Sequence, residues 1–255
     1  MGSVDGKTIV ITGAGSGIGQ AIAKRFAQDG AVVVGTDVND DGLAALAGVT
    51  NIMTTHADVT SWDDVKASVD FAVEKTGRVD VYINDAGIAM EDSIVDTDIA
   101  RFELLHRIHV NGCLYGMKAA LGRMRQQGSG HILNVISRVA ETDTVNVSAY
   151  ASAKAAMWSL TRIGAAENAD KGIFVNALFP GISRTAMTES GGIGDPSKLG
   201  APDQEYDTFK HLATLEAGDP NGQVWFHGQI YPMFQASNDL GAVTGGLAEG
   251  REATK

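Results

Sequence analysis

Thr8-Ile-Val-Ile-Thr-Gly-Ala-Gly-Ser-Gly-Ile-Gly-Gln20 is the stretch that decides the fold. Its first five residues are all β-branched, as in a buried strand. After the glycines, Ile18, Ala21, Ile22 and Phe26 recur at helical spacing until Asp29-Gly30 stops the helix. Strand, glycine turn and helix in that order form a phosphate-binding loop. Gly13 permits the tight turn, Gly17 lets backbone approach a pyrophosphate, and Gly19 lets helix pack on strand. Ser16 and Ile18 complete the loop, and the helix N-terminus supplies unpaired N–H groups and the positive end of its dipole. No acidic residue lies between Gly6 and Gln28, so the phosphate side is expected to be free of local repulsion.

Asp37 closes the next β-branched run, 18 residues past Gly19, where a carboxylate accepts hydrogen bonds from ribose hydroxyls and repels a 2′-phosphate. Val38 and Ser16 stand where an NADP site wants Arg or Lys, so NAD is the expected cofactor. Against this stands a plain structural role for Asp37, capping the turn through Asn39, Asp40 and Asp41.

Further β-branched runs at 31–36, 51–57, 79–84, 131–136 and 173–178 alternate with helical-period stretches. The pattern predicts right-handed crossovers and a parallel sheet covered on both faces. We read residues 1–255 as a single doubly wound α/β Rossmann domain of about seven strands, the seventh at 223–227. Ser61-Trp62-Asp63-Asp64 reads as a capping box, and two long helices are expected at 98–126 and 148–170. The segment 182–222 is too long for an ordinary connection and reads as a substrate lid, and 235–255 as a mobile tail.

The net charge of −11 excludes a nucleic-acid or anionic-membrane surface as the expected partner, since both require basic stripes. Cys113 is the single cysteine, so neither an internal disulfide nor a thiolate metal cluster is expected. The absence of a leader-like N-terminus and of a long apolar run predicts a cytoplasmic protein.

Tyr150-Ala-Ser-Ala-Lys154 falls in the second long helical stretch, with Tyr and Lys on one face at i and i+4. An ammonium beside a phenol favours phenolate, and Ser137, 13 residues earlier, is placed to hydrogen-bond a substrate oxygen. A second Tyr-x-x-x-Lys, Tyr206 to Lys210, has Ile193 at the Ser offset and is read as a coincidence of spacing.

The whole pattern resembles the short-chain dehydrogenase/reductase family, from about Gly6 to Thr185. Thr12 to Gly19 matches its Thr-Gly-x-x-x-Gly-Ile-Gly loop, and Asp58-Val59 its adenine-contacting pair. Asn84-Asp85-Ala86-Gly87 matches Asn-Asn-Ala-Gly with one departure at Asp85, and Pro180-Gly181-Ile182-Ser183-Arg184-Thr185 matches the nicotinamide-side loop. The resemblance implies a catalytic set of Asn111, Ser137, Tyr150 and Lys154 for hydride transfer between a secondary alcohol or ketone and nicotinamide. It implies cofactor contacts at Gly13, Ser16, Gly17, Ile18, Gly19, Asp37, Asp58, Val59, Asn84, Ala86, Gly87, Tyr150, Lys154, Pro180, Gly181, Ile182 and Thr185, and no metal. An NADP-dependent carbonyl reductase and a non-catalytic NAD-binding regulator are the alternatives.

The substrate is expected to be a small molecule. Met187, Tyr206, Phe209 and Met233 are candidates for an apolar pocket, weighed against ordinary packing, and Arg138 and Arg184 for an anionic substrate group, weighed against surface ion pairs. His106 and His109 have i, i+3 spacing but no third ligand, so they are expected to be ordinary helix residues. The 219–228 stretch resembles the ending of carbonyl-reductase-like members, and 243–246 is only a fragment of the common tetramer-building strand. A homodimer through the two long helices is expected, with a homotetramer as the alternative.

Overall fold

A computed structural model describes residues 2–185 and 199–233. The six β-branched runs each form one strand: β1 (Thr8–Thr12), β2 (Val32–Asp37), β3 (Ile52–His56), β4 (Val81–Asn84), β5 (Gly130–Val135) and β6 (Ile173–Leu178). A seventh, β7 (Val224–Phe226), lies parallel to β6, and β8 (Gln229–Tyr231) returns antiparallel to β7. The order β3-β2-β1-β4-β5-β6-β7-β8 makes eight strands where about seven are expected. The added edge strand follows a two-residue turn at His227 and Gly228, both with positive φ, the geometry that a tight hairpin requires.

One face of the sheet is covered by α1 (Gly17–Gln28), α2 (Asp40–Ala44) and a late helix, and the other by α3 (Trp62–Thr76), α5 (Gly112–Gln127) and α6 (Ser148–Glu167). The first long helix is divided. α4 (Ile99–His106) passes through a π-helical turn, Arg107–Asn111, into α5. The start of α3 behaves as its sequence indicates: Ser61 accepts a hydrogen bond from the Asp64 N–H at 3.3 Å, and its hydroxyl donates to the Asp64 carboxylate at 3.0 Å. Ser61→Ala should lower stability by about 1 kcal/mol, and a thermal melt should show a Tm about 2–4 °C lower.

The late helix, α7 (Tyr206–Leu212), is the principal departure in the segment read as a lid. Tyr206, Phe209 and Leu212 are buried in the core beneath α1. The Tyr206 ring stands edge-on to Phe26 at 5.0 Å, and its hydroxyl donates to Asp29 at 2.8 Å. Lys210 meets the same carboxylate at 2.7 Å. The second Tyr-x-x-x-Lys is thus a clamp on the end of α1, and Tyr206 and Phe209 are core residues. Met233 is likewise buried in the core of the opposite face. Met187, Ile193 and the stretches 235–255 and 243–246 lie outside the described residues.

Candidate active site

The C-terminal ends of β1, β2, β4 and β5 open onto one cavity, the place where open α/β sheets bind ligands. It is lined on the glycine-loop side by Gly13, Ser16, Gly17 and Ile18, at the end of β2 by Asp37, and farther along by Asp58, Val59, Ala86 and Gly87. Tyr150, Lys154, Pro180 and Thr185 close the other end. Val38 and Asp85 also line it, and so do Ala57, Ile88, Ile108, His109, Val135 and Ile136, to which the sequence gives no place there.

The glycine loop has the predicted shape. Gly13 and Gly17 have φ of 75° and 53°, and a Cβ on Gly13 would stand 2.9 Å from the Ala86 backbone. A Cβ on Gly19 would fall 2.4 Å from the Gly13 carbonyl oxygen, so this glycine sits behind the loop and lets α1 approach it. α1 has no acidic residue in its first turn, and its N-cap, Ser16, makes no side-chain hydrogen bond to it. The N–H groups of Gly17 and Ile18, which carry no side-chain cap, and the close backbone approaches fit a pyrophosphate.

The expectation that carboxylates are absent from the phosphate side requires correction. The fold brings two from distant sequence. Asp37 accepts from the Gly15 N–H at 2.8 Å and from the Asn39 N–H at 2.9 Å. Each oxygen of Asp37 therefore carries one backbone bond and keeps a lone pair. The Asp85 carboxyl accepts from the Gly19 N–H, and burial pushes its pKa up to about 7 against the pull of Lys154.

Asn84 is directed away from the cavity. Its amide donates to Asn134 at 2.8 Å, and Asn134 donates to Thr161 on α6 at 2.9 Å. It braces the sheet against the helix that carries Tyr150. Gly181 and Ile182 also stand outside the cavity lining. Gly181 has φ of 69°, a turn conformation that suits glycine, and Ile182 is exposed.

On α6, Tyr150 and Lys154 face the cavity one turn apart, with the Lys154 Nζ 5.3 Å from the Tyr150 ring centroid. Lys154 is buried, and its ammonium donates to the Val135 carbonyl at 2.8 Å. Burial lowers its pKa to about 8, with Asp85 opposing. Burial also holds the Tyr150 phenol well above the ordinary tyrosine range. Asp85 adds to that rise, and a hydrogen bond with Ser137 works against it. The expected phenolate is therefore not what these protein groups favour: the desolvation of Tyr150 outweighs its neighbours. Asn111 ends the π-helical turn and, like Ser137, lies outside the cavity lining.

The two arginines are placed elsewhere. Arg138 lies 5.7 Å from the Tyr231 ring, and Arg184 lines a separate groove with Lys24 and Pro202. The histidine pair diverges, His106 bonding Ser152 at 3.0 Å and His109 meeting Ile88. No described helix is long and apolar enough to cross a membrane.

The family model described as short chain dehydrogenase matches residues 7–193. Levodione reductase of Leifsonia aquatica is 36% identical over 192 residues, covering 72% of each chain. 7α-Hydroxysteroid dehydrogenase of Escherichia coli K12 is 33% identical over 224 residues, covering 85% of this chain and 84% of that protein. Among solved structures, 3-ketoacyl-(acyl-carrier-protein) reductase from Brucella melitensis, complexed with NADH, superposes with a TM-score of 0.80 at 29% identity, over 87% of this chain and 96% of that one. Fold, cavity and relatives converge: the chain belongs to the short-chain dehydrogenase family, oxidoreductases of alcohol and ketone substrates built on a Rossmann fold that binds a nicotinamide cofactor.

Proposed function

We propose that the protein interconverts a secondary alcohol and a ketone with NAD, using Tyr150 as general base and acid. The observation that carries this reading is the convergence of Tyr150, Lys154 and the glycine loop on one cavity, with Ser137 beside the phenol and lowering its pKa. A bound oxidised nicotinamide supplies the hydride acceptor and a positive charge near the phenol. Tyr150 takes the alcohol proton in oxidation and returns it in reduction. Ser137 polarises the substrate oxygen, and Lys154 keeps a positive charge one turn away while its spare N–H groups hold the nicotinamide ribose. Asn111 holds the water that joins Lys154 to solvent. Gly13, Ser16, Gly17 and Ile18 cradle the pyrophosphate, with Gly19 allowing that approach. Asp58 and Val59 meet the adenine, and Ala86, Gly87, Pro180, Gly181, Ile182 and Thr185 form the nicotinamide side. A homodimer through α5 and α6 fits the exposed Leu114 and Ile163 on those helices.

The preference for NAD rests on Asp37 and on the charge of the cavity. Among the described residues lining it, Lys154 is the only cation, and it lies at the end opposite Asp37. A 2′-phosphate beside the carboxylate meets repulsion with no arginine to offset it, so kcat/KM should favour NAD over NADP by about 10²-fold, and Asp37→Ser should narrow that ratio. The test is a panel of secondary alcohols, 7α-hydroxysteroids included, and levodione in reverse, followed at the NADH absorbance band with both cofactors. Equal or faster turnover with NADP would overturn the cofactor assignment, and no turnover of any panel member with either cofactor would count against the reaction.

A further inference from the structure

His109 has no part in the chemistry above, yet it is 1% exposed within the π-helical turn and lines the same cavity as Tyr150. Its ring stands perpendicular to Tyr150, with centroids 5.4 Å apart and planes at 87°. A Cβ on Gly87 would lie 2.4 Å from the His109 Cε1, so the ring is wedged between the phenol and the loop after β4. The Nε2 atom lies 2.8 Å from the Ile88 carbonyl oxygen and 3.1 Å from the Ile88 nitrogen. One ring nitrogen cannot donate to the first and accept from the second at once. The shorter contact assigns the proton to Nε2, which donates to the carbonyl. Nδ1 is then a bare lone pair, buried without a hydrogen-bond partner among the described residues. Burial and the nearby Lys154 ammonium hold the ring neutral, with His106 adding in the same direction and the Ile88 carbonyl opposing. A ring kept neutral is no acid for this reaction, and a buried ring that leaves one nitrogen unpaired asks for an explanation.

We propose that His109 is a positioning residue for Tyr150, fixing the phenol against Gly87 and Ile88 so that the base and the nicotinamide-side loop keep one geometry. The proposal rests on the reading of Tyr150 as the base. Through its ring His109 excludes water from one side of the phenol, and through Nε2 it ties that ring to the loop backbone. His109→Phe keeps a ring and removes the tie, His109→Gln keeps a donor for the Ile88 carbonyl and removes the ring, and His109→Ala removes both.

On the panel alcohol turned over fastest, His109→Ala should lose about 10²-fold in kcat. Its KM and its NADH affinity, read by fluorescence titration, should stay within about twofold of wild type. His109→Gln and His109→Phe should each recover part of that loss. A readout free of any substrate is the ultraviolet titration of Tyr150, taken as the difference between each protein and its Tyr150→Phe partner. Water admitted beside the phenol should move that titration down by about one pH unit in His109→Ala. A folded His109→Ala with wild-type kcat and an unmoved titration would overturn the proposal, as would a fall in NADH affinity parallel to that in kcat. Should His109→Ala fail to fold, the other two variants decide by the same criteria. Tyr150→Phe run beside them separates the two ideas: if it stays active, the assignment of the base has failed, and if it is inactive while every His109 variant behaves as wild type, only the role of His109 has failed.

Discussion

Tyr150→Phe is expected to lower kcat by about 10⁴-fold, the upper end of what one positioned proton-transfer group supplies, while NADH binding stays within about twofold of wild type. The substitution removes one hydroxyl and keeps the ring, so its perpendicular contact with His109 and its place on α6 survive. What is lost is the hydroxyl that takes the alcohol proton. Lys154, with a pKa lowered to about 8, lies one turn away, but its ammonium donates to the Val135 carbonyl. Single-turnover measurement with NAD and the preferred alcohol should therefore show no hydride transfer on the wild-type time scale. Retention of a tenth of wild-type kcat would mean that another group takes the proton.

Asp85→Asn should make the protein more stable, and by an amount that grows with pH. The Asp85 carboxyl is enclosed against the first turn of α1, although the residue as a whole keeps some exposure, and its pKa stands at about 7 against an ordinary 3.8. With the folded value raised, the folded state holds its proton longer than the unfolded chain does. The stability due to the neutral acid is present below about pH 4 and is lost as pH rises through 7. Asn keeps the shape of the neutral acid and carries no charge. The gain should be small near pH 4, increase to about pH 7, and be constant above it, on the order of 3 kcal/mol or about 5–10 °C in Tm. Melts across that range test the sign as well as the size. A variant that gains most at low pH, or loses stability at pH 8, would show that the Lys154 pairing outweighs the burial of the carboxylate.

Much of the fold was legible because its strands are buried on both faces. β1 and β6 begin and end where their β-branched runs do, and the other four fall within two residues. Elements with weak signals were not readable. α2 has only five residues, β8 has three, and the turn before β8 needs a histidine at positive φ, which few sequences advertise. In the site, ordered motifs brought most of the cavity lining together. They name Asn84 as a cofactor contact without showing that its buried amide is engaged with Asn134, because a motif marks a position and not the direction its side chain takes. Asp85 was visible as a departure from Asn, but its effect on Lys154 and Tyr150 depends on burial that no local window contains. The sequence presents His109 as an ordinary helix residue. Its sequence signals are its spacing from His106 and its proximity to Asn111.

The π-helical turn acts on the long helix as a phase correction. One surplus residue rotates everything after it by about 100° relative to an uninterrupted α-helix. α4 can therefore press Leu105 against Ala149 and Ala153 of α6, while α5 presents Cys113, Met117, Ala120 and Met124 to the sheet. A single straight helix would align one of these faces at the expense of the other. Asn111 and His109 stand where the two settings meet, so their directions are fixed jointly by helix–helix packing upstream and helix–sheet packing downstream. In design terms the turn is a vernier: inserting one residue between 110 and 111 removes none of the side chains that line the cavity, yet it re-aims His109 and Asn111 relative to each other.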